Sequence, residues 1–99
     1  MNFFIMSEPS LLTATKAIEL INQKKLSRYE WIQSCLKRIK ERESLTKAWT
    51  FVDFDGALKE AKKLDDTNSK KFGIPIGAKD IIDVSGMPTQ MGTSFYQNN

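Results

Sequence analysis

Histidine does not occur anywhere in the 99 residues, and that absence removes a whole class of chemistry. Ser-His-Asp and Cys-His nucleophilic systems, HExxH zinc sites and imidazole proton shuttles all require the missing ring. Cysteine occurs once, as Cys35, so neither an internal disulfide framework nor a cysteine-cluster zinc site can form. A lone thiol of this kind fits a reducing, cytoplasmic setting. Long apolar runs are also missing. Phe3-Phe4-Ile5-Met6 is a run of four with no basic residue before it, and Ser7, Glu8 and Pro9 interrupt it. A secretory signal needs about 7–15 apolar residues after a basic start, and a membrane span needs about 20. Residues 1–10 therefore read as an N-terminal arm. A dominant charge sign is lacking too: 15 Lys+Arg against 12 Asp+Glu leave +3, too small and too mixed to argue for nucleic acid.

What is present is the composition of a folded protein. Hydrophobic residues make up 40% and charged residues 27%, in a length that suits one small domain or a piece of a larger one. Ala14, Ala17, Ile18 and Ile21 share a helical face with Leu20 beside them, and Thr13 or Thr15 can cap that helix. Lys24 and Lys25 fall where its C-terminal carbonyls favour cations. Ser27-Arg28-Tyr29-Glu30 is a capping box, and Leu26 and Trp31 have the spacing of a hydrophobic staple around it. From there Ile32, Cys35, Leu36 and Ile39 predict the buried stripe of a second helix, reaching about Glu43. Asp53 or Asp55 can cap a third, with Ala57, Leu58, Ala61 and Leu64 on its apolar face and Lys59, Lys62 and Lys63 toward solvent. Asp65 to Lys71 then reads as a charge-rich linker.

Two segments have strand character: Trp49-Thr50-Phe51-Val52, and a stretch from about Ile76 to Ile82. Strand, helix, strand in that order predicts an α/β fold class, with N-terminal helices followed by a βαβ-like unit. Two strands alone are marginal in water, so residues 11–99 are expected to be the N-terminal part of a larger, mixed-sheet α/β domain. The stretch from Asp83 onward, with Gly86, Pro88 and Gly92 among polar residues, reads as loop.

Lys79 is the residue whose surroundings are unusual, because it lies between Ala78 and Ile81-Ile82 in an otherwise small and aliphatic strand. Burial there would disfavour the ammonium, and a neutral amine near pH 7 is a competent general base. Asp80, next along an extended strand, would face the other way and need not neutralise it. The alternative is an edge-strand lysine that discourages aggregation or reaches back to water. A phosphate loop is excluded. Gly73 and Gly77 enclose three residues rather than four, Ala78 intervenes before Lys79, and Asp80 stands where a hydroxyl is needed.

Gly73-Ile74-Pro75-Ile76-Gly77-Ala78-Lys79-Asp80, followed by Gly86-Met87-Pro88-Thr89 and Gly92-Thr93-Ser94, resembles the first conserved block of the amidase signature enzymes. The likeness runs upstream through a leading helix, Leu26-Ser27 opening a second helix with Arg38-Ile39, a strand, and an Ala-rich helix ending in Asp65. That resemblance implies an amide hydrolase with a Ser–cis-Ser–Lys triad, in which Lys79 corresponds to the lysine base. It implies no metal and no organic cofactor, and a small-molecule amide as substrate of the full-length protein. The two serines and the oxyanion hole belong to a Gly/Ser-rich segment that does not occur up to Asn99, and neither Ser85 nor Ser94 matches them by context. The chain alone is therefore expected to be inactive. The spelling Lys79-Asp80-Ile81-Ile82-Asp83-Val84 looks closer to the general amidases than to the A subunit of the tRNA-dependent amidotransferases.

Other candidates are structural by their context. Trp31 and Trp49 sit at element boundaries and read as core or staple residues. Lys37-Arg38-Lys40-Arg42 is interleaved with Glu41 and Glu43 and reads as a solvated helix face. Cys35 falls on the buried stripe, and Thr89, Thr93 and Ser94 suit turn hydrogen bonds. A reading of another class remains: a small basic helical module that binds an acidic partner.

Overall fold

A computed structural model describes residues 8–92. The predicted arm lies largely outside them; of its residues, Pro9 and Ser10 open a short 3-10 turn, Pro9–Leu11, with Pro9 buried. Three helices follow: α1 (Ala14–Asn22), α2 (Arg28–Thr46) and α3 (Phe54–Asp66). The 3-10 turn and α3 both pack on α2, which is therefore the central element.

Each helix begins where a side chain can satisfy its orphaned amides. The Thr13 hydroxyl accepts from the Lys16 amide at 3.1 Å, and the Asp53 carboxylate accepts from the Gly56 amide at 3.0 Å. At α2 the Glu30 amide donates to Ser27 Oγ at 3.0 Å while the Ser27 amide donates to Glu30 Oε1 at 2.9 Å, closing the capping box. The two amides between them, Arg28 and Tyr29, donate to the two carboxylate oxygens of Asp65, each at 3.0 Å. All four amides at the start of α2 thus have acceptors, two of them from the end of α3.

The helix ends use left-handed residues. Lys24 (φ 60°) closes α1, its amide reaching the Ile21 carbonyl while the Lys25 amide reaches Leu20 at 2.9 Å, a Schellman arrangement. Asn68 (φ 49°) does the same for α3, with Ser69 donating to the Leu64 carbonyl at 3.0 Å. The lysines expected to serve as cations at the end of α1 thus serve through their backbone. α2 runs past the expected Glu43 to Thr46, where Lys47 (φ 46°) caps it. There the Glu43 carboxylate accepts from the amides of Ala48 and Trp49.

The core has two halves on either side of α2. Ala17, Leu20, Leu26 and Trp31 form one, with Leu12, Ile21 and Cys35 against it, so the staple pair Leu26–Trp31 also anchors α1. Leu20 is buried on α1 whereas Ala14 is exposed, a rotation of the expected face. Ile32, Leu36 and Ala61 form the other half, covered by Ile39, Val52, Phe54, Ala57 and Leu58. Burial raises the pKa of the Cys35 thiol above its ordinary value.

The α/β fold class with a βαβ-like unit is overturned: among the described residues there are helices and no strand. Residues 49–53 and 76–79 run without regular structure, and a turn from Lys79 to Ile82 interrupts the second. A strand needs a neighbour for its backbone amides and carbonyls. These segments meet through a side chain instead, Trp49 lying against Gly77 so closely that a Cβ there would stand 2.9 Å from the ring. β-branched and aromatic composition describes fit to a pleated surface, and no such surface is offered here. The radius of gyration, 15.1 Å, exceeds the roughly 13 Å of a compact chain of this length.

Replacing Asp65 by Ala removes the acceptor of two helix amides and the counter-charge of Arg28 together. It is expected to lower the unfolding free energy by roughly 2–4 kcal/mol, read from the urea midpoint, with Asp65→Asn costing less because one acceptor oxygen remains. Iodoacetamide is expected to alkylate Cys35 more slowly in the folded chain than in urea at pH 8, since burial keeps the thiol protonated to higher pH.

Candidate functional site

The segment carrying Lys79 is delivered by Arg28. This residue opens α2, its side chain is only 10% exposed, and Nη1 lies 3.3 Å from Asp65 Oδ1. Its other donors gather the chain that leaves α3: Nη2 donates to the carbonyls of Ser69 at 2.8 Å and Lys71 at 2.7 Å, and Nε to Lys71 and Phe72. The expected linker is therefore held. Gly73 comes next with φ +72°, and a Cβ on it would lie 3.0 Å from Arg28 Cδ and 3.1 Å from Leu64 Cδ1. Only glycine combines that left-handed turn with so close an approach to the Arg28 stem.

Beyond Gly73 the chain reaches a pair of turns. The Ile82 amide donates to the Lys79 carbonyl at 2.9 Å, and the Met87 amide to that of Val84 at 3.1 Å. Asp80 joins the two limbs: its carboxylate accepts from the Gln90 amide at 2.8 Å and the Gly92 amide at 3.0 Å. The Asp80 carbonyl accepts from Met91 at 2.9 Å. Thr89, 3% exposed, donates its hydroxyl to Asp83 Oδ1 at 2.8 Å. Its expected role in turn hydrogen bonding matches this geometry, whereas Thr93 and Ser94 lie outside the described residues.

Lys79 itself is exposed, which overturns the buried position expected from its neighbours and agrees with the alternative of a lysine that reaches water, although on no strand edge. Those neighbours are themselves open to solvent, Ile76 at 86%, Ile81 at 58% and Ile82 at 55%. With no sheet closing over the segment, apolar sequence alone does not enclose the amine. The ion pairs among the described residues are Lys16–Glu19, Arg28–Asp65 and Lys62–Asp66, none of which engages Lys79. Asp80 leaves it unneutralised, as expected, although the reason is its hold on backbone amides rather than strand alternation.

Two surface hollows lie elsewhere, of about 480 and about 600 Å³, over α2 and α3, and Lys79 lines neither. Among the described residues no three His, Cys, Asp or Glu side chains converge to hold a metal, and no helix is long and apolar enough to cross a membrane. The basic run on α2 is exposed, and Lys40 places its ammonium 5.0 Å from the centre of the Phe54 ring. Trp31 is buried as the staple, whereas Trp49 is 40% exposed.

The Amidase family profile matches residues 30–99, from the first turn of α2 through the Lys79 segment. The chain belongs to the amidase family. Among the relatives it resembles, the A subunit of glutamyl-tRNA(Gln) amidotransferase from Solidesulfovibrio magneticus is 32% identical over 97 residues, covering 94% of this chain and 20% of that protein. The protein of the same name from Shouchella clausii is 33% identical over 88 residues, covering 85% and 18%. That from Clostridium novyi is 30% identical over 92 residues, covering 87% and 19%. The chain thus spans about a fifth of the length of these relatives. No solved structure matches it. The relatives' names run against the preference for general amidases drawn from the spelling around Lys79.

Arg28 and Asp65 are the residues that sequence reasoning undervalued. Their signal was a charged residue inside the capping box and another at the end of the Ala-rich helix, 37 positions apart. Gly73→Ala is expected to lower the unfolding free energy by about 1–2 kcal/mol or more, the left-handed penalty plus the contact with Arg28. Gly86→Ala, which has φ +81° and open space around it, carries the backbone penalty alone, so denaturant midpoints should fall further for the Gly73 variant.

Proposed function

We propose that this chain is the N-terminal portion of an amidase-type hydrolase of carboxamide C–N bonds, in which Lys79 is the base of a Ser–cis-Ser–Lys triad. The observation that carries the reading is a family match that includes the Gly73–Asp80 block, at 30–33% identity to three amidotransferase subunits. In this mechanism the amine of Lys79 withdraws a proton through a bridging serine. The nucleophilic serine then adds to the amide carbonyl, amine or ammonia leaves, and water releases the acyl group. Both serines and the oxyanion hole of that mechanism come from sequence outside these 99 residues. Oxyanion stabilisation and the nucleophile are the largest contributions to acyl transfer, so the isolated chain is inactive. The cysteine usage favours a cytoplasmic setting.

A second, narrower reading is favoured by the relatives' shared name: the A subunit of a glutamyl-tRNA(Gln) amidotransferase, working with other subunits of that enzyme. The two readings share the Lys79 chemistry and differ in what receives the released nitrogen.

A chimera tests both. Residues 1–99 replace the matching stretch of the Shouchella clausii relative, and release of ammonia from a panel of primary carboxamides is followed. The chimera is expected to hydrolyse an amide, Lys79→Ala is expected to slow it about 10²–10⁴-fold, and the 99-residue chain alone is expected to release nothing. Full activity of the Lys79→Ala chimera would falsify the assignment. Conversion of glutamyl-tRNA(Gln) in the presence of the relative's other subunits supports the narrower reading, and amide hydrolysis without that conversion supports the general amidase.

A further inference from the structure

Four hydrogen bonds converge on two consecutive residues. The Lys79 carbonyl accepts from Ile82, and the Asp80 carbonyl from Met91, both at 2.9 Å. The Asp80 carboxylate accepts from Gln90 at 2.8 Å and from Gly92 at 3.0 Å. We infer that Asp80 is a positioning residue, whose carboxylate clamps the backbone of residues 90–92 and thereby sets the place and direction of Lys79. The inference rests on the reading of Lys79 as the base.

The geometry needs a carboxylate. Two amides two residues apart point at one side chain because Met91 (φ 54°) and Gly92 (φ 75°) both turn left-handed between and beside them. A non-glycine residue such as Met91 adopts that conformation only when something holds it. Two acceptor oxygens on one ionised group hold it, and charge-assisted bonds of this kind are about twice as strong as neutral ones. The clamp is braced once more where Thr89 bonds to Asp83. Because the Asp80 carboxylate is directed at these amides, it does not form an ion pair with the amine beside it. On the N-terminal side the segment is fixed by Arg28 and by Trp49 against Gly77. Lys79 is thus held from both directions while its side chain stays open to whatever covers it.

Asp80→Asn separates positioning from mere folding, since an amide has the same shape with one acceptor oxygen instead of two. In the 99-residue chain, exchange of the Gln90 or Gly92 amide is expected to quicken by about tenfold, the protection lost with one hydrogen bond, with the amides of α2 unchanged. In the chimera, kcat is expected to fall about 10²-fold, as for a 1 Å misplacement of a reacting group, with KM within about twofold and an unchanged melting temperature. Unchanged kcat overturns the positioning role, as does unchanged exchange at both amides. Should the melting temperature fall as well, Asp80→Glu decides the matter, because its carboxylate keeps two acceptors. Joint recovery of exchange protection and kcat supports positioning, and recovery of protection without kcat overturns it. A chimera whose activity survives Lys79→Ala removes the base and with it this role, whereas the exchange result separately reads whether the clamp exists.

Discussion

The ion pair between Arg28 and Asp65 is the constraint on which the rest of the structure depends. One carboxylate takes the first two free amides of α2 and one nitrogen of a guanidinium, so the start of one helix and the end of another share a single acceptor. The guanidinium then directs its remaining donors to three carbonyls in the stretch that leaves α3. A surface ion pair contributes little to stability, because water competes and long side chains lose freedom. This pair is different in kind: both partners are largely out of water, and almost every donor and acceptor is matched by backbone. Arginine suits the task where lysine would not, since its planar fork reaches several carbonyls at fixed angles.

From that joint the molecule divides into two regimes. The three helices bury their apolar faces on one another, with α2 serving both sides through Trp31 and Cys35 on one and Ile32 and Leu36 on the other. The segment after Gly73 has no such core. It is held by point attachments: a guanidinium at its start, an indole beside Gly77, and the Asp80 and Asp83 carboxylates near its end. Its isoleucines stay exposed to solvent. Backbone geometry around Lys79 is thus set by these attachments and not by a core.

How much of this could be read from the residues depended on range. The cap at Ser27 was legible outright, and those at Thr13 and Asp53 each as one of two alternatives, because a cap is settled within four residues. The staple was legible for the same reason, and the stripe on α2 followed from its period. The family was legible in the Gly73–Asp80 block, and the match over residues 30–99 agrees with it. The strands were not, because strand formation is decided by a partner that Trp49–Val52 and Ile76–Ile82 do not find among the described residues. Burial of Lys79 fails with them, since small and aliphatic neighbours enclose an amine only where other chain packs over the segment. The partner of Arg28 was invisible for a different reason: 37 residues separate it from Asp65, and no local rule links a capping-box interior to the last turn of a distant helix.

The residues by themselves determined where helices start and to which family the chain belongs, because both are written in short-range pattern. Only the tertiary structure decided which carboxylate serves which amides, that the linker after α3 is anchored, and that the Lys79 turn is closed by Asp80 rather than by a neighbouring strand. Those outcomes depend on which groups meet across tens of residues, and a hydrogen bond is satisfied by whatever acceptor the folded chain brings within about 3 Å, not by the one that is nearest in sequence.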